Sequence, residues 1–66
     1  MEKLRILVAD DHTVVRMGLS ALLDMQQDMH VVGQAKNGKE AVEEALRLKP
    51  DVVIMDLMMP DGRAHV

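Results

Sequence analysis

The chain contains no cysteine and no aromatic residue, has only two prolines among its 66 residues, and carries no run of basic side chains. Without cysteine there is no disulfide staple, and His12, His30 and His65 are too scattered to complete a zinc site. A domain of this size hides only about 60% of the surface its unfolded chain exposes, so a staple would have been useful. Without Phe, Tyr or Trp the core must come from Val, Leu, Ile, Ala and the seven methionines, and methionine specifies packing loosely. Eight basic against eleven acidic residues, net −3, leave no cationic stripe to track a phosphate backbone, so direct nucleic-acid binding by this chain is not expected. No stretch approaches the roughly 18 apolar residues of a membrane span. The first apolar run is stopped by Asp10 and Asp11, too early for an export signal. No membrane association and a cytoplasmic location are the expectations.

What is present alternates between short apolar runs and amphipathic stretches. Leu4 to Ala9 (LRILVA) is apolar apart from Arg5 and ends in two carboxylates, the pattern of a strand buried on both faces. Thr13 to about Met25 places Val15, Leu19, Leu22 and Leu23 on one face of a helix that Asp11 or Thr13 can cap. Polar residues then lead to His30–Ala35 (HVVGQA), a short strand weakened by Gly33. Asn37-Gly38 offers a turn and a cap for a helix over Lys39–Leu48, with Val42, Ala45 and Leu46 on one side and Glu43 and Arg47 in the favourable i, i+4 order. Pro50 stops that helix, and Val52–Met55 is a second fully apolar strand, followed by Asp56. Strand, helix, strand, helix, strand with short connections specifies an α/β fold with a parallel sheet, right-handed crossovers and the first strand between the other two, order 2-1-3. No repeat, linker or low-complexity segment occurs.

Ligands of such open sheets bind beyond the carboxyl ends of the strands where the strand order reverses. There the first strand ends in Asp10 and Asp11 and the third in Asp56. A single strand-end aspartate is ordinarily a cap. Acids at the ends of two neighbouring strands, about 4.8 Å apart, are a different matter. Two like charges about 4 Å apart repel by roughly 4 kcal/mol at an effective dielectric of 20. A hard divalent cation relieves them, and magnesium suits a site with few protein ligands and several waters. The residues therefore point to an acidic Mg2+ pocket in which Asp56 is a possible phosphoryl acceptor.

The two segments that carry these acids, Ile6–Leu19 (ILVADDHTVVRMGL) and Asp51–Pro60 (DVVIMDLMMP), resemble the bacterial response regulator receiver domain. With Val31–Ala41 (VVGQAKNGKEA) they are most similar to receivers that precede a helix-turn-helix output domain. The resemblance implies a flavodoxin-like fold and a phosphoacceptor of two-component signalling rather than an enzyme. In it Asp56 takes a phosphoryl group from a histidine kinase, Asp11 ligates Mg2+ directly, Asp10 acts largely through water, and the Met58 backbone carbonyl is a further ligand. DNA would be reached only through the output domain of a parent transcription regulator. Such a receiver has five strand–helix units, so residues 1–66 correspond to a partial domain truncated after its third strand. The family's Ser or Thr after the fourth strand and Lys after the fifth have no counterpart here, which implies impaired self-phosphorylation. Thr13 stands where the family usually has Pro, a mild change, and Gly62 comes earlier than its usual glycine.

Other readings compete. An exposed edge at Val52–Met55 would seek another strand, giving a homodimer or swapped oligomer in place of signalling. A magnesium phosphatase or nucleotide binder is disfavoured because neither GxGxxG nor GxxxxGK[ST] occurs. The methionines read as core filler, His12 as solvent-exposed beside a hard-metal site, and Glu40, Glu43, Glu44, Arg47 and Lys49 as a solvated helix face.

Overall fold

The computed structural model describes residues 2–57. Along the chain come β1 (Leu4–Asp10), α1 (Thr13–Asp24), β2 (Met29–Ala35), α2 (Gly38–Leu48) and β3 (Val52–Asp56). The three strands form one parallel sheet in the order β2-β1-β3, the order expected from the pattern. Each element lies within a residue or so of its expected bounds.

β1 is paired along both edges, and Ile6, Leu7, Val8, Ala9 and Asp10 are all 2% exposed or less. The unbroken apolar run is explained by that position, because a central parallel strand with a helix over each face has no solvent side. Gln34 meets α1 through Arg16, whereas its neighbour Gly33 faces Leu48 of α2. Successive strand residues point to opposite faces, so the two helices flank the sheet on opposite sides. The register of β1 against β2 slips between Ile6 and Leu7, leaving Val32 unpaired as a bulge. Gly33 is needed just there: a Cβ on it would stand 2.5 Å from Leu48 Cδ1. Next to it Ala9, Ala35 and Ala41 form a small-residue cluster that lets α2 approach the sheet closely.

The buried stripes of both helices differ from the expected ones. On α1 Ser20 is buried and Arg16, Leu19 and Leu23 are half-buried, while Val15 is 51% and Leu22 62% exposed. On α2 Ala41, Glu44, Ala45 and Leu48 turn inward, while Val42 and Leu46 are exposed. Apolar periodicity marks a face about 100° wide or more, and which part of it meets the sheet depends on how the helix is rotated against its neighbours. Small residues at 33, 35 and 41 set that rotation for α2. Glu44, expected among solvated charges, pairs with Arg47 at 2.7 Å, so Arg47 reaches its i−3 neighbour rather than Glu43. The guanidinium holds the Glu44 carboxyl below its usual range.

The caps divide in the same way. Asn37 accepts the Glu40 N–H at 2.8 Å and Glu40 accepts the Lys36 N–H at 3.0 Å, as the Asn-Gly signal implied. At α1 the N-cap is His12, with no side-chain capping bond, so neither Asp11 nor Thr13 takes that role. Asp24 ties the end of α1 to β2 by accepting from Val31 N–H and meeting His30 Nδ1, both at 3.0 Å.

Arg5, the single charge inside the first apolar run, has a structural task. Its N–H donates to Asp51 Oδ2 and its carbonyl accepts the Asp51 N–H, both at 2.8 Å. Its guanidinium donates to the carbonyls of Leu48 at 2.7 Å and Lys49 at 2.8 Å. One side chain thus closes the C-terminus of α2, where Lys49 adopts a left-handed φ of 50°, and registers β3 against β1. Arg5→Ala is expected to lower stability by about 1–3 kcal/mol, the range for hydrogen bonds involving a charged group, as read by urea unfolding. Leu7→Ala, a cavity in the central strand, is expected to cost about 2–5 kcal/mol by the same measurement. That is comparable to the whole stability of a chain this short.

Candidate functional site

The carboxyl ends of β1 and β3 meet in register, Asp10 opposite Asp56. The parallel pairing of two apolar runs dictates this, since each run terminates where its first carboxylate appears. Asp10 belongs to β1 and its side chain is only 2% exposed; Asp11, one residue on, lies in the loop and is 36% exposed. Asp56 closes β3 and is exposed. Met58 lies outside the described residues, so its expected carbonyl ligand has no structural counterpart here.

Among the described residues, Asp10, Asp11 and His12 form a group whose ligand atoms all lie within 4.8 Å of one another. Asp56 stands beside that group through the strand register and is not a member of it. Asp10 Oδ1 accepts the His12 backbone N–H at 2.7 Å and contacts His12 Nδ1 at 3.0 Å; the same Nδ1 is 3.1 Å from Asp11 Oδ1. The backbone N–H, aided by the imidazole, lowers the pKa of Asp10 against the opposing effect of burial. The hydrogen bond to Asp10 and the charge of Asp11 raise the pKa of His12. His12 is 56% exposed, as expected of it, yet its ring lies against both acids as their counterion. Arg16 completes the frame from α1: Nη1 donates to the Asp10 carbonyl at 2.9 Å and Nε to Gln34 Oε1 at 3.1 Å.

These roles of His12 and Arg16 were not assigned from the residues alone. The available signal was position, a histidine directly after two aspartates and an arginine one turn into the following helix. The donor set itself fits a hard divalent cation: two carboxylates close together, one buried and oriented, one open to water. The imidazole occupies the same oxygens, so ring and cation compete for them.

Residues 6–63 match the family described as the response regulator receiver domain. The response regulator protein VraR of Staphylococcus saprophyticus is 50% identical over 58 residues, covering 88% of this chain and 28% of that protein. The oxygen regulatory protein NreC of Staphylococcus haemolyticus is 51% identical over 61 residues, 92% of this chain and 28% of its own length. Among solved structures, the response regulator domain of Thermotoga maritima CheB superposes with a TM-score of 0.84 at 53% identity, over 91% of this chain and 45% of that one. The signal receiver domain of the putative response regulator NarL from Mycobacterium tuberculosis gives a TM-score of 0.84 at 38% identity, over 91% and 48%. The chain belongs to the response regulator receiver domain family, with the receiver's flavodoxin-like β-α-β-α-β arrangement and sheet order 2-1-3. It spans just over a quarter of the length of these curated relatives and just under half of the solved domains. Among the described residues no helix is long and apolar enough to cross a membrane.

The His12 contacts set a pH signature. A depressed Asp10 pKa contributes stability above the unfolded carboxylate value of about 3.9, lost as pH falls through the folded value. A raised His12 pKa contributes below about 6.5 and is lost as pH rises through its folded value. Stability is therefore expected to be greatest between those limits and to fall on both sides. A histidine NMR titration of the chain should place His12 above 6.5, and Asp10→Asn should bring it back down.

Proposed function

We propose that this chain is the phosphoacceptor part of a two-component response regulator, in which Asp56 takes a phosphoryl group from the phosphohistidine of a histidine kinase. The observation that carries this is the register pairing of Asp56 with Asp10, which sets an exposed carboxylate beside a preformed acidic pair. Exposure suits Asp56 to a nucleophile's task, because the donor arrives on another protein. A carboxylate oxygen of Asp56 attacks phosphorus, the phosphorus–nitrogen bond breaks, and its electron pair returns to the donor imidazole. The product is an aspartyl phosphate carrying roughly −1.5 to −2 charges.

Asp11, the more exposed of the pair, would hold Mg2+ directly; Asp10 would act largely through water, with Asp56 and the Met58 carbonyl as further ligands. When bound, the ion offsets the charge of the transferring group. Asp10 is suited to its part because the His12 N–H and its lowered pKa keep it ionised, and because Arg16 fixes its carbonyl. The exposed His12 ring is able to leave the two acids when a cation takes its place. In the parent protein the added charge would act on transcription through an output domain, in the cytoplasm, as the likeness to VraR and NreC suggests.

The test is incubation of the chain with a small phosphodonor such as acetyl phosphate, with and without Mg2+, read by intact mass. The expected result is a magnesium-dependent gain of one phosphoryl group, sensitive to hydroxylamine and absent from Asp56→Asn. Asp11→Asn should slow it at least tenfold, in line with loss of a direct charge contact. A phosphoryl group retained by Asp56→Asn would place the acceptor elsewhere.

A further inference from the structure

β3 is paired on one side only, with β1, and among the described residues no strand lies on its other side. Both helices rest on β1 and β2, which leaves β3 uncovered on both faces: Val52 and Val53 are 38% exposed and Met55 57%. The opposite edge, β2, carries devices that discourage pairing, a bulge at Val32 and polar His30 and Gln34. Within Val52–Met55 there is no bulge, proline or charge. The rim of the open face is apolar as well. A Cβ on Gly38 would lie 3.9 Å from Leu57 Cδ1, so the i, i+4 stripe of Gly38, Val42 and Leu46 lies on the β3 side of α2, with Val42 60% and Leu46 72% exposed.

We propose that the free edge of β3 is a self-association surface, at which two copies of this chain pair antiparallel through Val52–Asp56 in the register centred on Ile54. A twofold axis normal to the sheet closes the assembly at two copies and makes one six-stranded sheet, with both α2 helices on the same face. The Gly38–Val42–Leu46 stripes of the two copies then border the joined β3 strands from either side.

Charge selects the second copy and its register. The carboxyl end of the sheet carries Asp10, Asp11 and Asp56, whereas the turn entering β3 carries the exposed Lys49. Antiparallel pairing sets the acidic end of each copy beside the lysine-bearing end of the other. Centred on Ile54, Val53 faces Met55 of the second copy and Asp56 faces Val52, and the two Asp56 carboxylates stand roughly 14 Å apart by strand geometry, beyond a Debye length of about 8–10 Å. Centring on Met55 would make the two Asp56 diagonal neighbours about 7–8 Å apart. Centring on Val53 would put Pro50, which has no N–H, into the ladder. Only the Ile54 register avoids both. This pairing does not depend on phosphoryl transfer, and Asp56→Asn should associate at least as well.

Sedimentation of the full 66-residue chain over a concentration series tests the proposal. The expected mass rises with concentration from 7.4 kDa to twice that value and stops there. Met55→Lys, on the open flank and away from the β1 core, should keep the circular dichroism of the parent and weaken association at least about tenfold, the cost of roughly 1.4 kcal/mol. Gln34→Lys on the β2 edge should leave it unchanged. Amide exchange within Val52–Asp56 should slow as concentration rises. A natively folded monomer at about 1 mM would overturn the proposal and leave the edge to a different partner; growth past two copies, or a dimer that only Gln34→Lys weakens, would overturn it equally.

Discussion

Two-sided pairing of β1 is the constraint from which the other features follow. A strand hydrogen-bonded along both edges and covered on both faces excludes water from Ile6 through Asp10, and neither helix has another surface against which to bury its inner stripe. Arg5 and Asp51 set the lower end of this arrangement, four hydrogen bonds joining β1, the last turn of α2 and the entry to β3. With that end registered, the upper ends of β1 and β3 arrive level, and Asp10 stands beside Asp56. The acid site is thus a consequence of strand register rather than of any local loop.

A buried carboxylate is costly unless it is hydrogen-bonded, and Asp10 at 1% exposure obtains its bonds from the residue two positions on. His12 does two things at once: its backbone N–H satisfies Asp10, and its ring offsets the repulsion between Asp10 and Asp11. Like charges crowded together call for a counterion, and within this chain that counterion is an imidazolium lying where a divalent cation would bind. Competition for the same oxygens links proton binding to cation binding. Arg16, gripping the Asp10 carbonyl and Gln34, keeps the loop aligned with β1 and β2.

The element order, the parallel sheet and the strand-end position of the acids were legible before any coordinates, because buried central strands read as unbroken apolar runs and because Asn37, Gly38 and Pro50 punctuate the chain locally. The capping of α2 by Asn37 was likewise local and readable, since donor and acceptor are three residues apart. The buried stripes were not. Val15, Leu22, Val42 and Leu46 have the right spacing for a core face and nevertheless point outward, since helix rotation is set by the small residues of the facing strand.

What the sequence determined by itself is the alternation of strands and helices and the presence of acids at two apolar termini, features written in periods of two and 3.6 residues and in single turn residues. Tertiary structure alone decided that Arg5 would close α2 some 43 residues away, that Glu44 rather than Glu43 would take Arg47, and that His12 would sit between two carboxylates. Each of these depends on where a long side chain finds its partner once the backbone is packed. Spacing along the chain records which residues can share a face, while only the assembled sheet brings distant ends within hydrogen-bonding reach.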